Sequence, residues 1–237
     1  MLALAMGATL LAQWFLRVRD RHPENVYSPP LAWMRAGLYF CAVLLVSWLA
    51  GVLPVVLQMP PVTAGQLADP VWIALTAVSA AALVWGYVLW WPRGTLTYDR
   101  QRYLAVQIPF GLAWGACSAQ VPLICWAVVE DFGFGRWWTA ALVLFLLSGY
   151  NQLYQSGWWD IHVSPPHNLR AWNAKKVLFG HMPFLLALLA HLALVGNAGL
   201  FTLLYAGALA CSAVAMRFPP FWAADGPVVS RETAIGV

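Results

Sequence analysis

Apolar residues run through this chain in long blocks separated by short polar segments, and the blocks set the architecture. Crossing the hydrocarbon core of a bilayer takes roughly 20 residues of helix. Seven blocks qualify: 1–17, 31–57, 71–91, 104–129, 137–157, 177–195 and 199–216. The last two are parted only by Gly196, Asn197 and Ala198, so they predict a tight helical hairpin. The second is longer than one crossing needs and predicts a tilted helix or an interfacial turn near Pro54. The first has no basic segment before it, and its positive charges come after. That order fits a retained anchor with its N-terminus outside.

The loops between blocks decide orientation. Arg17, Arg19 and Arg21 follow the first block, and residues 58–70 carry no Lys or Arg. Arg93, Arg100 and Arg102 follow the third block, and Arg136 alone follows the fourth. Arg170, Lys175 and Lys176 follow the fifth, the sixth loop has none, and the tail holds Arg217 and Arg231. Basic residues collect on the cytoplasmic side of short loops, so this alternation predicts seven spans with the C-terminus in the cytoplasm. Paired tryptophans agree. Trp137–Trp138 and Trp158–Trp159 bracket the fifth block about 31 Å apart at ~1.5 Å per residue. Trp72 and Trp90–Trp91 bracket the third.

Composition narrows the class further. Hydrophobic residues make up 62% and charged residues 9%, against about 25% charged in soluble domains. A single chain in water would have to expose large apolar patches. The net charge of +4 lies in short loops with no basic stripe, which excludes a nucleic-acid partner. Cys41, Cys117, Cys125 and Cys211 all fall inside apolar blocks and read as core or lipid-facing residues. The expectation is an all-α, polytopic transmembrane helix bundle, one integral domain over 1–237, in the cell (inner) membrane.

Candidate chemistry gathers at the cytoplasmic end. The inner half of the fifth block places Ser148, Asn151, Gln152 and Gln155 within an arc of about 100°, with Tyr154 beside them. Amide side chains in hydrocarbon need partners, so this stripe should face the bundle interior or a wet pocket. Directly after it come Asp160, His162 and His167. One Asp with two His could hold a metal, although the spacing matches no diagnostic metal motif. The sixth block carries His181 and His191, about 15 Å apart along the helix and about 80° around it, too far apart to share one ligand. An ionisable residue inside a membrane is a functional candidate by default. His181, just before Pro183, is the better placed of the two, and Arg35 and Gln107 lie at the same face.

Other chemistries find no support. No carboxylate lies near a span centre, and there is no phosphate-binding loop or nucleophile elbow. The seven-span topology resembles that of microbial rhodopsins, but the seventh block lacks the Lys that a retinal Schiff base needs. The residues support a membrane enzyme or enzyme subunit. It would act on a lipid-soluble substrate by His/Asp acid–base or metal-assisted chemistry, with Asp160, His162, His167 and His181 as catalytic candidates. Ser148, Asn151, Gln152, Tyr154, Gln155, Arg35 and Gln107 would line the substrate pocket. A non-catalytic subunit of a redox or pigment-binding complex is the alternative, and a small-solute transporter ranks third. Membrane lipids, a lipid-soluble small molecule and partner subunits are the expected contacts. The sequence names no cofactor.

Overall fold

The computed structural model describes residues 26–27, 29–92, 101–148, 175–224 and 226–227. Helix α1 runs Pro29–Leu49, and two short helices follow, α2 (Val52–Gln58) and α3 (Ala64–Leu67). Helix α4 starts at Pro70–Leu83 and continues as a π-helical segment, Val84–Trp90. Helix α5 is Leu104–Glu130, and α6 is Arg136–Ser148. Helix α7 opens with a π-helical segment, Val177–His181, and goes on as Met182–Val195. Helix α8 is Ala198–Ala215. The only sheet among the described residues is a two-residue antiparallel pairing of β1 (Val26–Tyr27) with β2 (Gly226–Pro227).

This is a multi-pass helical membrane fold. Five helices are long and apolar enough to cross a bilayer, namely α1, α4, α5, α7 and α8. They match five of the expected spans. Helix α6 covers the first part of the expected span 137–157, and the block 1–17 lies outside the described residues. The long second block is divided by a turn close to Pro54, one of its two expected forms, and Gly51 makes the break. Gly51 adopts φ 74°, a left-handed conformation that ends α1, while Pro54 sits in the first turn of α2 where its missing N–H costs nothing. The hairpin between α7 and α8 is as tight as expected. Gly196 closes α7 at φ 72°, and the Asn197 side chain caps α8 by accepting from the Leu200 N–H at 2.8 Å.

Helices α5 and α8 form the centre of the bundle. Gly111 and Gly115, four residues apart, face Ala210 and Ala206 in antiparallel register. A Cβ at Gly115 would stand 2.5 Å from the Tyr205 carbonyl oxygen. Small residues at this spacing let helix backbones touch, the main source of helix association where lipid supplies no hydrophobic drive. Around this pair pack α1 on α5 and the π-helical end of α4 on α8. One end of the bundle collects the start of α1, the start of α5 and the end of α8. There the Trp33 indole donates to the Pro219 carbonyl and Gln107 Nε2 donates to the Phe218 carbonyl at 2.9 Å. The opposite end holds Asn197, which donates to the Pro60 and Pro61 carbonyls, and Arg136, which reaches the Ala193 carbonyl.

The tryptophan belt holds in part. Trp137 and Trp138 are 58% and 70% exposed, as an interfacial girdle requires. Trp72 and Trp91 do not belong to it, because both are buried inside the bundle. The turn of α4 on which each lies packs against α7, so position near a span end did not determine which way the ring points.

Candidate functional site

The site begins with a proline. Pro183 has no N–H, so the carbonyl four residues earlier, that of Phe179, loses its intrahelical donor. The start of α7 widens to π-helical bonding at this point, and the Trp85 indole donates to the freed Phe179 carbonyl at 2.8 Å. The Trp90 indole donates to the Lys175 carbonyl at 3.3 Å. Two indoles from α4 thereby supply donors to the opening of α7. Gly86 and Gly180 remove the side chains that would hold the helices apart, and a Cβ at Gly86 would lie 2.6 Å from the Gly180 carbonyl oxygen.

The second π-helical segment, Val84–Trp90, sorts the aromatic rings of α4. The Trp91 N–H bonds to the Gly86 carbonyl at 2.8 Å, a five-residue step that brings residues four and five apart onto one face. Trp85 stacks on Trp90 with centroids 5.9 Å apart, and Tyr87 stacks on Trp91 at 5.2 Å and 15°. In an α-helix residues five apart sit about 140° apart around the axis. The first stack therefore depends on the π-helical widening.

His181 projects into this aromatic wall and is 4% exposed. Its Nδ1 shares a hydrogen bond with the Tyr87 hydroxyl. The rings of Trp91 and Tyr205 stand edge-on to the imidazole at 6.1 and 6.2 Å, and Phe184 closes the Tyr87 side. Nε2 is buried and has no hydrogen-bond partner among the described residues. Leaving a polar atom so placed costs about 1–3 kcal/mol. With the phenol as donor, Nε2 carries the imidazole proton. With the bond reversed, Nε2 presents a bare lone pair that can take a proton or bind a metal. The two forms interconvert when Nε2 gives its proton to a bound group and Nδ1 gains one on the Tyr87 side, which is the chemistry an acid–base group needs.

The remaining expected site residues divide clearly. Asn151, Gln152, Tyr154, Gln155, Asp160, His162 and His167 lie outside the described residues. Ser148 bonds back to the Leu144 carbonyl at 2.6 Å, within its own helix. Gln107 is buried, ties α5 to the chain after α8, and keeps its Oε1 without a partner among the described residues. Arg35 lies on α1, and its side chain is not described. His191 lies near the other end of α7, 3.4 Å from the Thr76 hydroxyl and edge-on to Trp72. No group of three metal-ligating side chains exists among the described residues.

Tyr87, Trp91, Tyr205 and Lys176 were missed from sequence. Pro183 was the usable signal for this region, since it implies a donorless Phe179 carbonyl that some side chain must satisfy. No family model, curated protein or solved structure matches this chain. The geometry has to carry the functional reading alone.

Proposed function

We propose that this is a membrane enzyme, or the catalytic subunit of one, that acts on a lipid-soluble substrate by proton transfer at His181. The observation that carries the reading is the buried Nε2 of His181, unpartnered while its Nδ1 is held by Tyr87. Burying a polar nitrogen without a partner is costly, which supports a use for it beyond packing. The site sits at one end of α7, so the stripe beginning at Ser148 and the Asp160–His167 segment would complete it from the same side. A carrier has less support, because α7 presents Phe184, Leu185, Leu188 and Leu189, all fully buried, between the two histidines.

We further propose seven spans with the site at the cytoplasmic face of the cell membrane. The pairing of Val26–Tyr27 with Gly226–Pro227 holds the two segments at one end of the bundle. The chain between them must then cross an even number of times. Five long helices leave one crossing short, and α6 supplies it. The block 1–17 adds the seventh, and the alternating basic loops assign the site's end to the cytoplasm.

The test is an untargeted comparison of lipid extracts from cells producing the wild type, His181→Gln or Tyr87→Phe at equal levels. The expected result is a lipid-soluble compound consumed or formed only with the wild type. His181→Gln should cut the conversion about 10²-fold or more, and Tyr87→Phe should cut it less. A second reading, a non-catalytic subunit, is favoured by the outward-facing Trp48, Trp137, Trp138 and Phe145. Extracts that do not differ, together with partner chains that co-purify until these rings are replaced, would decide for it.

A further inference from the structure

The imidazole of His181 is buried, so a molecule dissolved in the bilayer reaches Nε2 only where two helices part. The seam between α4 and α7 is the thinnest cover. Across the first turn of α7, Lys176, Val177, Gly180 and His181 face inward, while Lys175, Leu178 and Phe179 face outward. Trp85 and Phe179 are 46% and 48% exposed, so lipid reaches both. Trp90 joins them, stacked on Trp85 and edge-on to Phe179 at 5.8 Å. Behind these rings comes the backbone contact of Gly86 with Gly180. A Cβ on Gly180 would stand 3.1 Å from the Trp90 ring and 3.6 Å from the Trp91 ring. This glycine therefore separates the outer aromatic layer from the inner one, where Trp91 and Tyr87 meet the imidazole.

Two bonds hold this seam shut, and both run from an α4 indole to the α7 backbone: Trp85 to the Phe179 carbonyl and Trp90 to the Lys175 carbonyl. One hydrogen bond between membrane helices shifts an equilibrium by about threefold on average and about twentyfold at most. Both segments that carry the bonds are π-helical, a form at which helices bend. The cover on the α8 side is firmer. Tyr205 faces the imidazole from a helix that is in backbone contact with α5 at Gly111 and Gly115. We propose that Trp85, Trp90 and Phe179 form a lateral gate between α4 and α7, through which a lipid-soluble molecule passes from the bilayer to His181. The inference rests on His181 being the reactive centre. Opening breaks the two indole bonds and tilts the first turn of α7 away from α4. The Phe179 carbonyl then has no donor, because Pro183 has none to give. That orphaned carbonyl draws the Trp85 indole back, so the gate rests closed and opens transiently.

The experiment treats membranes holding the full chain with diethyl pyrocarbonate, which enters lipid and acylates imidazole, and follows each histidine by peptide mass. His191 is the internal control, since it lies about 15 Å further along α7 and packs on Thr76 and Trp72 instead. Trp85→Phe keeps a ring and removes the donor, so His181 should react about three- to tenfold faster while His191 is unchanged. Fastening the seam should do the opposite. With the four native cysteines replaced by alanine, a short bismaleimide is used to bridge Trp85→Cys to Phe179→Cys. The bridge should slow His181 by about tenfold or more against the same variant left unbridged. A His181 rate that ignores both changes would overturn the gate. So would a rise at His191 as large as that at His181, because the helix pair would then have loosened throughout. If the gate fails in either way while His181→Gln still abolishes the conversion in lipid extracts, the route falls and the His181 site stands.

Discussion

Substituting Gly115 by alanine tests the packing on which the site depends. The added Cβ would stand 2.5 Å from both the Tyr205 carbonyl oxygen and the Ala206 Cα, and both are backbone atoms that cannot rotate away. Non-bonded carbon atoms are most favourable at about 3.5–4.0 Å, so α5 and α8 must part by roughly 1 Å. A gap of that size forfeits roughly a quarter to a half of the attraction at each contact. The loss spreads along the close register that continues through Gly111 and Ala210. Alanine recovers up to about 1 kcal/mol through helix propensity, which leaves a net destabilisation of about 1–3 kcal/mol. Gly37 on α1 is the control. A Cβ there meets nothing within 4 Å, so Gly37→Ala should be neutral or stabilising by up to about 1 kcal/mol. Both variants can be followed by tryptophan fluorescence during reversible unfolding in mixed micelles. A Gly115→Ala protein as stable as the wild type would mean that α5 and α8 are not in backbone contact. Because Tyr205 faces His181, the destabilised variant should also lose function at the site.

Three further expectations follow from the same geometry. Reporter fusions after Arg102, after Lys176 and at the C-terminus should read cytoplasm, and fusions near Ala64 and Gly133 should read outside; a C-terminal reporter outside would refute the seven-span topology. Arg217 adopts φ 56° just past the end of α8, a conformation that costs a non-glycine residue about 1–2 kcal/mol. Arg217→Gly should therefore raise unfolding stability and Arg217→Val lower it, and a less stable glycine variant would show that the arginine's own contacts outweigh the strain. Lys176 has a depressed folded-state pKa of about 7 against an ordinary 10.5, so the unfolded chain binds more protons between those values. Stability should rise with pH from about 7 to 10.5 by on the order of a few kcal/mol, and Lys176→Met should flatten that rise.

Span positions were legible because the bilayer demands long apolar runs, and these runs are the bulk of the chain. The α7–α8 hairpin was legible because Gly196 and Asn197 have specific uses at helix ends. The second block's length left two forms open, a tilted helix or a turn near Pro54, and the turn is the one that forms. Gly51 makes that turn, because its left-handed conformation ends the first helix while Pro54 fits the first turn of the next. The contact between α5 and α8 was legible in principle. The sequence Gly111-Leu112-Ala113-Trp114-Gly115 is a small-residue motif, but it was read only as part of a hydrophobic run. Trp72 and Trp91 were placed at the interface for their nearness to span ends, which ignored the face of the helix on which each lies.

The site itself was only half legible, and the reason lies in helix geometry. His181 stood out because an imidazole in hydrocarbon is rare. Its partners did not, because every angular argument assumed 100° per residue, and two segments at this end of the bundle depart from that value. Under the α-helical assumption Trp85 and Trp90 point apart, and Lys176 points away from His181. Pro183 is what breaks the assumption. By withholding its N–H it frees the Phe179 carbonyl, the Trp85 indole takes that carbonyl, and Trp85 can do so because its own helix is widened around Gly86. Tyr87 stacks on Trp91, four residues further along the same face, behind the imidazole that Tyr87 holds. One missing hydrogen bond thus turns an apolar helix start into a turn that faces two ionisable side chains inward. Reading such a site from sequence alone requires asking which carbonyl a proline orphans, and which indole or hydroxyl on a neighbouring span is at the right depth to satisfy it.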